Sequence, residues 1–399
     1  MKESYFKKVL SFKYQDKTVQ FRVAQELFSS HDVDGGSRFL LRTLGQRPLK
    51  AVKRVLDMGC GYGTLGLTLK AVDKQRTVHL VDRDGLAVDF AQQNVALNEL
   101  DNVSVYGSLG YDDLRGGQFD LIVSNIPGKA GEAVITHLIQ DARPFLAKNG
   151  RVAVVVVTPL VPLVEKLLER MPDTAVSLKE SSANHTVFHY HFTAEPPASS
   201  PQNSFATGLY WRDIMSVSSR KLAFEMQTAF GLPEFDTLSY QTRLLFNILN
   251  GLPASPVNHL LVINPGQGHT AVAAWHRLQP QQISLVDRDL LALQTTAHNL
   301  QQNGCPAEII SSYHQIGLPP LPTPADLVIH PLRDSEGPKI AVARLNLLAE
   351  QLAPKAFAFI GANSHLISQV EQQMKRNGRL KPRQRKRRKG FSTLSLTPK

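Results

Sequence analysis

One spacing constrains this chain more than any other feature. Val81-Asp82-Arg83-Asp84 returns as Val286-Asp287-Arg288-Asp289, 205 positions later. At that spacing Asn94 meets Asn299, Asn98 meets Asn303, Gly61 meets Gly266 and Gly63 meets Gly268. Ser37-Arg38-Phe39-Leu40-Leu41 faces Thr242-Arg243-Leu244-Leu245-Phe246 in the same register. Phe119-Asp120-Leu121-Ile122-Val123 faces Ala325-Asp326-Leu327-Val328-Ile329, one residue further on. A register held this far implies one domain of about 200 residues, duplicated in tandem, which is a usual domain size. The Pro- and Ser-rich Glu195-Pro196-Pro197-Ala198-Ser199-Ser200-Pro201 reads as a linker. The expected domains are therefore 1–195 and 207–399, joined by 196–206.

Within each copy, short apolar runs alternate with segments of helical periodicity. In the first copy Arg54–Met58, Val78–Val81, Asp120–Ser124 and Val152–Val157 read as strands. The segments after Gly63, from Leu86 to Leu97, and from Glu132 to Leu146 read as helices. Fully apolar strands alternating with helices predict an α/β fold: two Rossmann-like domains, each a mostly parallel, doubly wound sheet. Ligands of such sheets bind beyond the carboxyl ends of the strands. The most apolar stretch, Val152–Val164, is too short to span a bilayer and contains Pro159 and Pro162, so no membrane segment is expected. The N-terminal residues interleave charges with apolar side chains and do not resemble a signal peptide. Cys60 and Cys305 cannot build a disulfide framework, which fits a reducing, cytoplasmic setting.

The chemistry gathers in the first copy. Asp57-Met58-Gly59-Cys60-Gly61-Tyr62-Gly63-Thr64 ends a strand and opens a helix, where glycines permit a sharp turn and close approach of a ligand. Asp82 ends the next strand, where a carboxylate can accept both hydroxyls of a ribose. Together they indicate a nucleoside-bearing cofactor. Asp57 would repel a pyrophosphate but suits an ammonium, which favours S-adenosylmethionine over a nicotinamide dinucleotide. Ser124-Asn125-Ile126-Pro127-Gly128-Lys129 follows a later strand. The Asn125 oxygen and a neighbouring carbonyl could hold a planar NH2 group, with Pro127 stiffening the loop.

On these segments, with Leu27-Phe28-Ser29-Ser30 and Asp34-Gly35-Gly36-Ser37, residues from about Phe21 to Pro159 resemble the methyltransferase-small-domain family of class I S-adenosylmethionine-dependent methyltransferases. That family includes tandem-domain ribosomal RNA guanine-N2 methyltransferases with one degenerate copy. The resemblance implies cofactor contacts from Asp57, Gly59, Gly61, Gly63, Asp82, Arg83 and Ser108, and a catalytic loop carrying Asn125 and Pro127. It implies methyl transfer to an exocyclic amine of RNA. Methylation of a protein glutamine amide or of a small-molecule amine, and an RNA-binding assembly factor retaining the cofactor site as a relic, are the alternatives. Three departures stand out. Asn125-Ile126-Pro127-Gly128 replaces Asn-Pro-Pro-aromatic and lacks a stacking ring, for which Phe28 is the candidate substitute. Leu109 stands where an acid often contacts adenine. The intact copy is the N-terminal one, whereas the ribosomal RNA enzymes use the C-terminal one.

The second copy has Val262 for Asp57, Asn264 for Gly59 and Pro331 for Asn125, and is expected to be degenerate. It also carries the charge. Of the formal net charge of +11, nine basic residues lie between Arg376 and Lys389, with no acid after Glu371. Arg383, Arg385, Lys386, Arg387, Arg388 and Lys389 are the expected RNA-binding residues, a density that suits a phosphate backbone. His185, His189 and His191 read as ordinary strand residues rather than metal ligands. No metal site and no particular oligomeric state is expected.

Overall fold

The computed structural model describes residues 2–47, 49–194, 203–219, 222–252, 256–333 and 335–399. The chain divides into two compact units: Phe6–Tyr210, and Trp211–Lys399 with the residues up to Tyr5. Most of the expected linker, 196–202, lies outside the described residues. Its end, 203–206, belongs with the first unit, because the Ser204 amide and hydroxyl donate to the Asp112 carboxylate at 2.7 and 2.8 Å. The division thus differs from 1–195 and 207–399 at both ends of the first unit.

The first unit opens with an antiparallel hairpin, β1 (Phe6–Tyr14) and β2 (Lys17–Ala24). Its main sheet holds β3 (Arg54–Met58), β4 (Thr77–Asp82), β5 (Val103–Gly107), β6 (Phe119–Asn125), β7 (Leu146–Val157), β8 (Thr174–Ser181) and β9 (His185–Phe192), in the order β5-β4-β3-β6-β7-β9-β8. Pairings from β5 to β7 are parallel, and β9 is antiparallel to both neighbours. Val55, Leu56, Leu80, Val81, Leu121 and Val123 are fully buried in the central strands. Each contributes about 1.5–3 kcal/mol by leaving water, which is why these runs are apolar on both faces. Strand order reverses between β3 and β6, so the crevice of this sheet opens where Asp57 and Asn125 end their strands. The helix expected over Glu132–Leu146 stops at Gln140. Pro144 sits in a single 3-10 turn, Arg143–Phe145, and β7 begins at Leu146.

The second unit repeats the plan. Hairpin β10 (Trp211–Ser219) and β11 (Leu222–Ala229) precedes a sheet of β12 (His259–Ile263), β13 (Gln282–Asp287), β14 (Ile310–His314), β15 (Ala325–Pro331), β16 (Leu352–Asn363), β17 (Leu380–Arg388) and β18 (Phe391–Pro398), ordered β14-β13-β12-β15-β16-β18-β17. The repeated asparagines clamp each hairpin to its unit. Asn94 accepts from Arg22 N at 2.7 Å and donates to the Arg22 and Tyr62 carbonyls. Asn299 does the same with Gln227 and Gln267. Among the described residues no helix is long and apolar enough to cross a membrane.

Candidate functional site

The expected residues of the first unit meet at the carboxyl ends of β3, β4 and β6 and in the turn after β5. The loop after β3 turns through Gly59, Gly61 and Gly63 at φ of +69°, +56° and +94°, a region that favours glycine. Gly63 starts the helix Thr64–Val72, and a Cβ there would stand 2.8 Å from Leu67 Cδ1. A Cβ on Gly59 or Gly61 would meet nothing within 4 Å, so this stretch of backbone borders open space. Main-chain bonds from Gly59 N and Cys60 N to the Val81 carbonyl hold the loop against β4.

Asp57 is 1% exposed. Its Oδ2 accepts from Gly66 N at 2.8 Å, while Oδ1 is buried with no hydrogen-bond partner. Burial, reinforced by the nearby Asp82 carboxylate and opposed by the Gly66 amide, pushes the Asp57 carboxyl up to about 7. Asp82 accepts from Gly61 N at 2.9 Å and from Asp84 N at 2.8 Å, and burial raises it to about 6. The half-buried Arg83 follows it. Ser108 is buried; its amide donates to the Asp82 carbonyl, and its hydroxyl donates to the Gly110 carbonyl and accepts from Asp113 N.

Asn125 ends β6. Its Nδ2 donates to Asp34 Oδ2 at 2.8 Å and to Ser37 Oγ at 3.0 Å. Both amide hydrogens are therefore used inside the protein, and Oδ1 has no protein partner among the described residues. Ser124 Oγ ties β6 to β3 through the Met58 carbonyl at 2.8 Å. The Ile126 amide bonds the Val155 carbonyl, and the Pro127 carbonyl receives Ala130 N, which fixes the loop. No aromatic ring follows Asn125. Phe28 is 73% exposed, on the loop between β2 and the helix Gly35–Gly45. Tyr62 of the glycine loop donates to the Ser29 carbonyl at 3.4 Å, so this loop begins beside the cofactor turn and ends at the Asn125 partner Asp34. Sequence reasoning singled out the Asp34–Ser37 segment only as a family match; the bonds to Asn125 come from the fold.

The corresponding place in the second unit is filled by protein. Arg333 forms an ion pair with Asp287 and donates to Asn264 Oδ1 at 3.3 Å. Asn264 Nδ2 in turn bonds the Pro331 carbonyl at 3.1 Å. Behind them Arg344 and Glu336 form a buried ion pair at 2.8 Å, to which the Tyr5 hydroxyl adds a bond from Arg344. Burial alone would raise the Glu336 carboxyl, but Arg344 holds it down at about 2. The remaining cavity beside Asn264, Asp287 and Arg344 is about 10 Å3, room for about one water.

The basic stripe forms β17, an edge strand paired antiparallel with β18. Arg385 is half-buried and held by Ser364, Ser368, Ser392 and Glu371. Its guanidinium fastens the strand to the helix Ser364–Asn377 and is set apart from the other five expected RNA-binding residues. Arg383 bonds Thr397, and Lys389 reaches the Tyr240 hydroxyl at 2.9 Å. Lys386, Arg387 and Arg388 are exposed and have no ion-pair partner among the described residues. His189 is buried against Thr43 at 3.0 Å, and burial pushes its imidazole down to about 3. Among the described residues no group of three His, Cys, Asp or Glu side chains is placed to hold a metal.

A doubly wound sheet with a glycine turn after its first strand, an acid ending the second and an asparagine loop at the switch point defines a class I methyltransferase site. The methyltransferase small domain family matches residues 18–183. The uncharacterized protein YbxB of Bacillus subtilis is 30% identical over 177 residues, 44% of this chain and 87% of that protein. The chain belongs to the methyltransferase small domain family, whose members use S-adenosylmethionine. Ribosomal RNA large subunit methyltransferase G of Shewanella sediminis is 36% identical over 143 residues, 33% of this chain and 34% of that protein. Ribosomal RNA small subunit methyltransferase C of Haemophilus influenzae is 30% identical over 167 residues, 40% of this chain and 49% of that protein. The match thus spans between a third and a half of these two enzymes. A solved Thermus thermophilus 16S rRNA N2 guanine methyltransferase, RsmC, in complex with AdoMet and guanosine, shares the fold over 100% of both chains, with a TM-score of 0.68 and 15% identity.

Proposed function

We propose that the first unit transfers a methyl group to an exocyclic amine of RNA, guanine N2 in ribosomal RNA, and that the second unit is a non-catalytic partner that helps hold that RNA. The observation that carries the reading is Asn125: both its amide hydrogens are tied inward, so the side chain presents an acceptor to whatever enters the crevice. An acceptor there suits an NH2 group, which has hydrogens to give. The names of the two ribosomal RNA methyltransferases and the guanosine bound to RsmC support the choice of substrate.

The residues present fit the cofactor. The unpartnered, buried Asp57 Oδ1 is a place for an ammonium, and the open space over Gly59 and Gly61 is a cradle that a Cβ would intrude on. Asp82 lies where it can accept from a ribose, with Arg83 beside it, and Ser108 borders the expected adenine region. When bound, S-adenosylmethionine supplies a methyl group on a sulfonium, and displacement by an amine then needs mainly alignment. Asn125 and the stiff Ile126-Pro127 turn would hold the amine with its lone pair toward that methyl. The exposed Lys386, Arg387 and Arg388 would meet phosphates, which position an RNA without reading its sequence. The unit Phe6–Tyr210 would then be catalytic and Trp211–Lys399 degenerate, with the protein in the cytoplasm.

The test is a comparison of modified nucleosides in ribosomal RNA from cells with and without the gene, by mass spectrometry. One N2-methylguanosine should vanish on deletion and return with the wild-type gene but not with Asn125→Ala. An unchanged set of RNA modifications would overturn the RNA assignment.

A further inference from the structure

The structure assigns a positioning role to Asp34 and Ser37: they lock the Asn125 carboxamide in the one orientation that shows its oxygen to the target amine. The inference rests on Asn125 being the residue that meets that amine. An asparagine side chain can present either an NH2 or an oxygen at nearly the same place, by rotation of its terminal torsion. For an amine substrate only the oxygen is useful; the flipped form would set donor against donor. Asp34 decides between them because its carboxylate can only accept. Nδ2, at 2.8 Å from Asp34 Oδ2, must therefore face Asp34, and the second hydrogen goes to Ser37 Oγ at 3.0 Å. The oxygen is left on the side away from both.

Local backbone holds this arrangement. Asp34 is the N-cap of the helix Gly35–Gly45, and its Oδ2 also receives Ser37 N at 3.0 Å, so the carboxylate is held by the helix it starts. A Cβ on Gly36 would come within 2.9 Å of Asp34 Oδ2. Glycine there leaves the carboxylate room to reach Asn125.

The second unit provides an internal control. At the 205-residue spacing Asp34 becomes Ser239, Gly36 becomes Gln241 and Ser37 becomes Thr242, while in the segment matched one residue further on Asn125 gives way to Pro331. The cap itself survives, with Ser239 Oγ receiving Thr242 N at 3.1 Å. The Thr242 hydroxyl instead donates to Glu234 at 2.8 Å. Where the carboxamide is absent, its carboxylate is absent too, and only the capping function remains. Capping therefore does not explain why Asp34 is aspartate.

The test uses the full chain with Asp34→Ser, which copies the second unit and keeps a good N-cap, and with Ser37→Ala. Methyl transfer is followed with tritiated S-adenosylmethionine on total RNA from cells lacking the gene. We expect Asp34→Ser to lower kcat by about tenfold or more, and Ser37→Ala by about threefold, as misalignment of a reacting group does. The KM for S-adenosylmethionine should stay within about twofold, because neither side chain joins the glycine loop or Asp82. A substrate-free arm reads the carboxamide itself: the Asn125 side-chain NH2 resonances, assigned by their loss in Asn125→Ala, should be slow to exchange with water in wild type and fast in Asp34→Ser. Wild-type kcat with unmoved resonances in Asp34→Ser would overturn the inference. If wild type transfers nothing to RNA, the substrate proposal falls, and the resonance arm alone decides the role of Asp34.

Discussion

The two units share a sheet order, a hairpin and a helix-capping pattern, and they part company at the carboxyl ends of their strands and in the basic edge strand β17. What stays the same is what the fold needs. Asp84 and Asp289 each cap a helix, and Asn94 and Asn299 each clamp a hairpin. Gly63 and Gly268 hold φ of +94° and +95° at the same turn. Asp82 and Asp287 each receive the amide two residues on at 2.8 Å, so the survival of Asp287 is explained by its turn and says nothing about ribose. What differs is whether a charged group at the crevice meets an opposite charge from its own chain. Asp57 Oδ1 in the first unit is buried and unpaired, and its counterpart is Val262. In the second unit Arg333 lies on Asp287 and Arg344 on Glu336, so cations of the chain itself stand in the crevice, although Asp287 Oδ2 and His330 Nδ1 stay buried without a hydrogen-bond partner. Among the described residues the first crevice holds a buried carboxylate with no cation of its own chain beside it, whereas the second supplies that cation as Arg333.

The contrast can be broken at four points. Glu336→Gln should show the largest effect, because removing one member of a buried ion pair costs about 3–5 kcal/mol. Thermal unfolding followed by calorimetry should show that loss in the second unit, while affinity for S-adenosylmethionine stays unchanged. A weakened affinity would mean that the second crevice takes part in cofactor binding. Asp57→Val, which gives the first unit the residue of the second, should remove about 2–5 kcal/mol of cofactor affinity, as truncating one partner of a buried charge pair does. Titration calorimetry should also give one S-adenosylmethionine per chain in wild type, and two would break the contrast outright.

The third effect is one of pH. Only the ionised Asp57 can pair with an ammonium, and its carboxyl sits at about 7 because it is buried. Cofactor affinity should therefore fall as pH drops through 7, by up to about tenfold per pH unit, and Asp57→Asn should remove that break. Asp82, at about 6, adds a second decline further down. For the free protein the sign reverses. Between the unfolded value of 3.8 and about 7 the folded Asp57 retains a proton that the unfolded chain releases, so stability falls as pH rises across that window. Urea unfolding of wild type against Asp57→Asn would show it.

The smallest effect concerns the stripe. Replacing Lys386, Arg387 and Arg388 by Gln should flatten the salt dependence of RNA binding by about 0.7 in the log–log slope for each phosphate no longer neutralised. Arg385→Gln should lower the unfolding temperature and leave the slope nearly unaltered, since its guanidinium is committed to Glu371 and three serines. Filter binding at several salt concentrations separates the two.

Much of this was legible in the order of residues. The 205-residue spacing announced two copies because hairpin clamps, caps and turn glycines recur wherever the same backbone recurs. Asp57, Asp82 and Asn125 were legible because each ends an apolar run, and apolar runs between helices make parallel strands. The stripe was not. Nine basic residues in fourteen positions hide the alternation that marks a strand, so neither β17 nor the inward turn of Arg385 could be read. The partners of Asn125 were hidden for another reason: Asp34 and Ser37 lie about ninety residues away, and only the packing of a helix against the switch point brings them to it.

The ion pair of Arg344 and Glu336 also has a consequence for how the molecule is made. Tyr5, 2% exposed, completes that pair, so a segment made early finds its place among residues that leave the ribosome more than three hundred positions later. During synthesis Phe6–Tyr210 can close over its own core while the segment ahead of it waits. Cutting the chain at its middle would not yield two whole halves: the later one would lack a hydroxyl that was translated long before it.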